Sequence, residues 1–210
     1  MIKKRSARTT LLACMGIASL ALLAGASPAA AKTKTKTFNQ CVSTSQVVRE
    51  GQTGVPASTA NVVFPIGVPK FNGKPQNGTV VSVNSVGLRI THTFAGDIGA
   101  NLVTPGGKVI LLANHRGDIG DGYGTGAQSC SGSLVTFGDT FGTSIVTPGN
   151  TGNNPITGSF KPEQPLSGAV GGPARGNWVV LVEDTAGGDQ GTLDAVSLNV
   201  TYRYKVKPKK

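Results

Sequence analysis

Val196-Ser-Leu-Asn-Val-Thr-Tyr-Arg-Tyr204 alternates apolar and polar side chains without a break. Successive side chains of an extended chain point to opposite faces. Val196, Leu198, Val200, Tyr202 and Tyr204 therefore share one face, and Ser197, Asn199, Thr201 and Arg203 the other. This is a half-buried strand. Working back along the chain, Asn177-Trp-Val-Val-Leu-Val182 reads as a second strand that ends in Glu183-Asp184. Residues 86–92 give a third, with Val86, Leu88, Ile90 and His92 on one face. Residues 98–103 and 108–112 are joined by Thr104-Pro-Gly-Gly107, a strong turn signal. The 30 Gly and 12 Pro, the many Val and Thr, and the lack of a long apolar stripe at helical spacing point the same way. An all-β chain with turns at this spacing is a sandwich or a jelly roll. Residues 117–176 are rich in Gly, Asn, Pro and Thr and read as long loops, the usual functional part of a sandwich. Residues 32–60 read as a loosely structured lead-in, interrupted by Gly51, Gly54 and Pro56.

The two ends bear on location and partners. Lys3, Lys4, Arg5 and Arg8 precede an apolar run over residues 11–24, and Ala29-Ala-Ala31 supplies small residues for a peptidase. Residues 1–31 thus read as a secretory signal peptide cleaved after Ala31, which makes the mature protein extracellular. The run is shorter than the roughly 20 apolar residues of a membrane span, so the protein is not expected to be membrane-embedded. The whole chain carries +10. Four of its 20 basic residues leave with the signal, so 16 Lys and Arg remain against 10 Asp and Glu. Much of that excess sits at Lys32-Thr-Lys-Thr-Lys36 and in the tail 205–210. Such ends are either solvated tails or contacts for an anionic surface such as a wall polymer or phospholipid head groups. The body between them is not basic, which argues against nucleic acid. Of the mature cysteines, Cys41 and Cys130 form a disulfide in an oxidising compartment, or remain two free thiols.

Five blocks then follow in order. They are Ile90-Thr-His-Thr-Phe-Ala-Gly-Asp97; Leu102-Val-Thr-Pro-Gly-Gly107 with Val109-Ile-Leu-Leu112; Thr157-Gly-Ser-Phe-Lys-Pro-Glu163 with Leu166-Ser167; Gly176-Asn-Trp-Val-Val-Leu-Val-Glu-Asp184; and Gly188-Asp189 with Gly191-Thr-Leu193 and Val196-Ser-Leu198. Together they resemble the P domain, or Homo B domain, that sits beside the catalytic domain of proprotein convertases and of bacterial subtilisin-like serine proteases. The resemblance covers residues 61–204. It implies a jelly-roll β-sandwich of about eight strands, galactose-binding-like, with Trp178 in its core. It also implies a role in the folding, stability, or calcium and pH response of a neighbouring protease. Family members often carry Trp where Val196 stands and an Asp-Asp pair where Gly138-Asp139 stands, so local packing and part of a metal site differ here.

An enzyme would need more than this chain offers. Gly142-Thr-Ser144 looks like a subtilisin nucleophile segment, but a serine nucleophile needs a histidine base and an acid to orient it. His92 and His115 are the only histidines, and neither lies in a subtilisin-type motif. His92 reads as a hydrogen-bonded core residue. The carboxylates are better candidates. Asp97, Asp118, Asp121, Asp139, Asp184 and Asp189 lie in loops or at strand ends, most beside glycine. Calcium takes six to eight oxygens and suits such loops, while the alternative is that these residues cap turns. Asp121, Asp139 and Asp184 lead that set. Arg116-Gly-Asp118 spells an adhesion tripeptide, and Asn77 and Asn199 begin glycosylation patterns. The reading is a secreted, non-catalytic accessory module whose partner is an exported serine protease. The competing reading is a sandwich that binds a cell-surface polymer or carbohydrate.

Overall fold

The computed structural model describes residues 31–51, 57–147 and 154–208. The expected signal peptide over 1–31, except Ala31, therefore falls outside the described residues. Among the described residues eleven strands form two sheets. In chain order they are β1 (Lys32–Val48), β2 (Ala60–Ile66), β3 (Thr79–Thr91), β4 (Ile98–Val103), β5 (Val109–Asn114), β6 (Gly122–Tyr123), β7 (Val135–Phe137), β8 (Thr143–Ser144), β9 (Ser159–Lys161), β10 (Gly176–Asp184) and β11 (Gly191–Val206). The larger sheet runs β1-β11-β3-β7-β9-β8, with β6 added to β3, and the smaller runs β2-β10-β4-β5. The chain is a β-sandwich.

The C-terminal alternation has its expected outcome. Val196, Leu198, Val200 and Tyr202 of β11 are buried, and Arg203 is exposed. In β10 the same period buries Trp178, Val180, Val182 and Asp184. Trp178 is fully enclosed and its indole N–H donates to the Ala174 carbonyl at 3.0 Å, so the one polar atom of the ring is satisfied. Opposite, β3 turns Val86, Leu88 and Ile90 inward, and His92 just beyond the strand continues that face. The core is the meeting of these stripes from two sheets.

One expectation is corrected. Much of the supposed lead-in over 32–60 is the 17-residue strand β1, paired antiparallel with β11 from Lys32↔Val206 to Val48↔Gly191. The alternating Lys and Thr of its first half leave both faces polar, so no apolar stripe marks it. Backbone pairing holds it, Phe38 packs edge-on to Phe64 of β2 (6.2 Å between centroids), and the lysines protect an exposed edge. The basic tail from 205 likewise begins as strand, because β11 continues to Val206.

The disulfide between Cys41 and Cys130 is present, with Cα atoms 6.0 Å apart. It ties edge strand β1 to the loop between β6 and β7. The Cys130 amide also donates to the Ser43 hydroxyl at 3.0 Å. A second tie is buried. A register shift between Leu193 and Ala195 bulges Asp194 out of the β11–β3 ladder, 3.4 Å from the guanidinium of Arg89. Thr91 and Thr192 donate to the same carboxylate, both at 2.7 Å.

Candidate functional site

The inward stripes of β3 and β10 both end in polar groups at the same end of the sandwich. His92 leaves β3 and Asp184 closes β10, and the two meet across the core. His92 Nε2 lies 3.3 Å from Asp184 Oδ2, and both side chains are fully buried. The other ring nitrogen, Nδ1, accepts the Phe94 amide at 3.1 Å. This sets the tautomer: Nε2 carries the proton and donates to Asp184. Asp184 Oδ1 accepts the Ala186 amide at 3.1 Å, closing the turn after β10. Gly191 lets the ring sit there, since a Cβ at that position would collide with His92 and with the Thr91 carbonyl.

Two further carboxylates complete the cluster. Asp189 accepts the Thr93 hydroxyl and approaches His92 Nδ1 at 3.7 Å. Both of those atoms are acceptors, so no hydrogen bond joins them. Asp97 ends a short 3-10 turn, Ala95–Asp97, whose carbonyl takes the Thr185 amide at 2.9 Å and the Thr185 hydroxyl at 3.0 Å. Burial holds the Asp97 carboxyl above its ordinary range, and the charges of Asp189 and Asp184 push it further up. Ligand atoms of His92, Asp184 and Asp189 lie within 4.8 Å of one another. His115 Nε2 reaches the Thr185 hydroxyl at 2.5 Å on the rim.

The arrangement suits a cation. The Asp97 carboxylate, whose ionisation is made costlier by burial and by the charges of Asp189 and Asp184, would gain from a divalent ion, and two acceptors that face each other without a proton between them would gain as well. Oxygen atoms of Asp184 and Asp189, with the Thr93 hydroxyl and Asp97 nearby, are the hard donors that calcium would prefer. The His92 nitrogen does not belong to a calcium shell, and its place is structural, orienting Asp184.

The six aspartates of the sequence reading divide. Asp184 and Asp189 come together on His92, with Asp97 near enough to feel both charges. Asp121 is exposed and lines a cavity of about 560 Å³ beside them, with His92, Thr93 and Gln128. Asp118 is an exposed turn residue with φ of 47°, joined to the 3-10 turn through its carbonyl, which accepts the Gly96 amide at 2.8 Å. Asp139 lies apart. Its two oxygens accept the Leu166 and Ser167 amides at 2.7 and 2.8 Å and cap the 3-10 turn Leu166–Ala169. At this position the turn-capping alternative holds.

Arg116 of the adhesion tripeptide is committed elsewhere. Its Nε and one terminal nitrogen form two 2.8 Å bonds to Glu163. That pairing holds the Glu163 carboxyl below its ordinary range. Asn199 lies in β11 and its side-chain oxygen takes Asn84 at 2.7 Å. Ser144 sits in the two-residue strand β8, where its hydroxyl oxygen accepts the Val146 amide at 3.3 Å. The sequence reading missed the pair Arg89–Asp194. The polar run Thr91, Thr192 and Asp194 around an otherwise apolar pattern is the signal that marks it.

Residues 81–200, more than half of the chain, match the family model described as the proprotein convertase P-domain. No curated protein sequence matches the chain. Among solved structures, a serine protease of Aeromonas sobria aligns at 16% identity and a TM-score of 0.46, over 80% of this chain and 27% of that one. A structure of the Aeromonas sobria serine protease in complex with a chaperone aligns at 16% identity and a TM-score of 0.48, over 81% and 27%. This chain thus spans about a quarter of the length of those two. By the family match, the chain belongs to the proprotein convertase P-domain family.

Proposed function

We propose that this protein is an exported, non-catalytic P-domain module that acts beside a subtilisin-like serine protease, and that calcium held by Asp97, Asp184 and Asp189 fixes its working end. The observation that carries the protease link is the family match over residues 81–200. Calcium here is structural. Asp184 and Asp189, with Asp97 beside them, would hold it, and its charge would offset theirs and reinforce the Thr185 bonds that join the turn Ala95–Asp97 to the loop after β10.

The surroundings of the histidines support the non-catalytic part. A general base must offer a lone pair to the nucleophile it activates. In His92 one nitrogen is protonated toward Asp184 and the lone pair of the other is taken by the Phe94 amide. His115 bonds to Thr185, and the Ser144 hydroxyl to the backbone of its own turn. Among the described residues no serine hydroxyl is bonded to the His92–Asp184 pair.

The test is capture of proteins from the culture supernatant of the source organism with the tagged protein, followed by a fluorophosphonate probe for active serines. The expected result is a labelled protease that co-purifies, with the tagged chain itself unlabelled. A label on the chain would make it a hydrolase and overturn the reading. Recovery of wall glycan with no labelled protein would favour the competing surface-binding reading.

A further inference from the structure

The end of the sandwich opposite the carboxylates carries the reverse charge. Residues 32–49, 57–94 and 195–208 contain ten Lys and Arg and no Asp or Glu. The register gathers eight of the ten at one end. Arg203 pairs with Thr79 of β3 and with Thr35 of β1, and Lys205 with Thr33. Lys32, Lys34 and Lys36 follow on the other face of the same ladder, and Lys70, Lys74 and Lys207 complete the group. Among the described residues, none of the eight forms an ion pair. Lys74, Arg203 and Lys205 line a cavity of about 750 Å³ together with Phe71, Tyr204 and Asn77. It lies some eleven residues along β11 from Thr192, roughly 35 Å from the acidic end.

The wall of this cleft is built rather than loose. Phe71 and Lys74 exchange backbone hydrogen bonds at 2.9 and 3.0 Å around a two-residue turn. Asn72 and Gly73 supply the positive φ angles, 51° and 77°, that such a turn requires. The Gln76 side chain then clamps the turn to β11. Its amide donates to the carbonyls of Pro69 (2.7 Å) and Lys205 (3.1 Å), and its oxygen accepts the Lys205 amide at 3.0 Å. A clamped wall, three cations, the ring of Phe71 and side-chain amides in one cavity form a pre-organised site.

We infer that this cleft binds a linear acidic polysaccharide, with a sugar ring against Phe71 and its anionic groups on Lys74, Arg203 and Lys205. Arg203 and Lys205 are alternate residues on one face of β11, roughly 7 Å apart, and Lys207 follows just beyond the strand, a row that suits a repeating anion more than a single one. A membrane surface is disfavoured, because no large exposed aliphatic side chain lines the cleft to enter the acyl region. The inference does not depend on the protease reading, since the acidic end takes no part in it.

The experiment is calorimetric titration of the purified protein with a heparin oligosaccharide at physiological salt. Neutral dextran, a DNA duplex of similar charge and phosphatidylglycerol vesicles are run in parallel. Two charge-matched variants are compared, Arg203→Glu/Lys205→Glu in the cleft and Lys108→Glu/Lys161→Glu elsewhere. A third, Arg203→Gln/Lys205→Gln, repeats the cleft test with a milder change, and melting curves check that each is folded. The proposal expects heparin binding that weakens roughly tenfold in the cleft variants and by no more than about twofold in the control. It expects no binding to dextran and weaker binding to DNA and vesicles. Equal losses in cleft and control variants, equal affinity for DNA or vesicles, or no binding by the unmodified protein would each overturn it.

Discussion

The two ends of this sandwich are built from the same strands and differ in almost everything else. At one end β3 and β10 finish and β11 begins among buried polar groups, and Asp184 and Asp189 converge on His92 beside Asp97. At the other, β1 and β11 run on as an exposed ladder of lysine, threonine and tyrosine. The acidic end spends its side chains on one another, across both sheets and through short turns. The basic end leaves its charges to solvent and holds its shape by backbone pairing and one glutamine clamp. The contrast shows that a single hydrophobic core can carry two independent polar sites. The core fixes their separation, and local hydrogen bonding decides which site is buried and which is open.

The largest effect expected is one that should remove the contrast altogether. Replacing Cys41 and Cys130 with serine opens a link that spans 89 residues and anchors β1. The expected loss is roughly 4 kcal/mol in denaturant unfolding. A loss below about 1 kcal/mol would mean that backbone pairing alone secures β1. Next, Asp194→Ala should cost about 3 kcal/mol by leaving the buried Arg89 without its carboxylate. The apolar pair Arg89→Met/Asp194→Leu should cost less than that single change. The reverse order would show that the ion pair itself stabilises the acidic end.

Smaller effects separate the ends by pH. The raised Asp97 carboxyl favours the folded state below its ordinary value of 3.8, and that contribution is lost as pH rises through the higher folded value. Without calcium at neutral pH, Asp97→Asn should therefore melt slightly higher than the unmodified protein. The Glu163 carboxyl is shifted the other way. Its bond to Arg116 stabilises above the ordinary value of 4.5 and is lost as pH falls through the lowered folded value. Glu163→Gln should remove up to about 1 kcal/mol at neutral pH and flatten the acid limb of the stability curve. The basic end carries no carboxylate, so Lys74→Gln should leave both limbs unchanged.

What could be read in the sequence follows from the same contrast. Strand β10 and the second half of β11 were legible because each buries every second residue, and over 86–90 β3 keeps that period in its apolar side chains. The end of that period also marks His92 and Asp184, since a polar residue at an inward position must find a partner. Strand β1 was not legible. Its lysines and threonines bury nothing over the first turns of alternation, and its partner lies some 160 residues away. The aspartates could be collected but not sorted. Asp139 and Asp184 look alike beside glycine or a strand end, and only the packing shows that one caps a turn while the other faces the core. The bulge at Asp194 was hidden for a related reason, because it breaks the period that makes a strand readable.

The central claim is that the acidic end is a divalent-cation site on which the module's fixed shape depends. Its most direct test is the melting of the purified protein in millimolar calcium and in EDTA, beside Asp189→Asn, Asp97→Asn and Asp139→Asn. Calcium well above a weak extracellular-type dissociation constant should contribute about 2 kcal/mol and raise the melting temperature by several degrees. Asp189→Asn and Asp97→Asn should abolish that response, and Asp139→Asn should keep it. Superimposable curves in calcium and EDTA, or a calcium response that survives in Asp97→Asn and Asp189→Asn, would contradict the account.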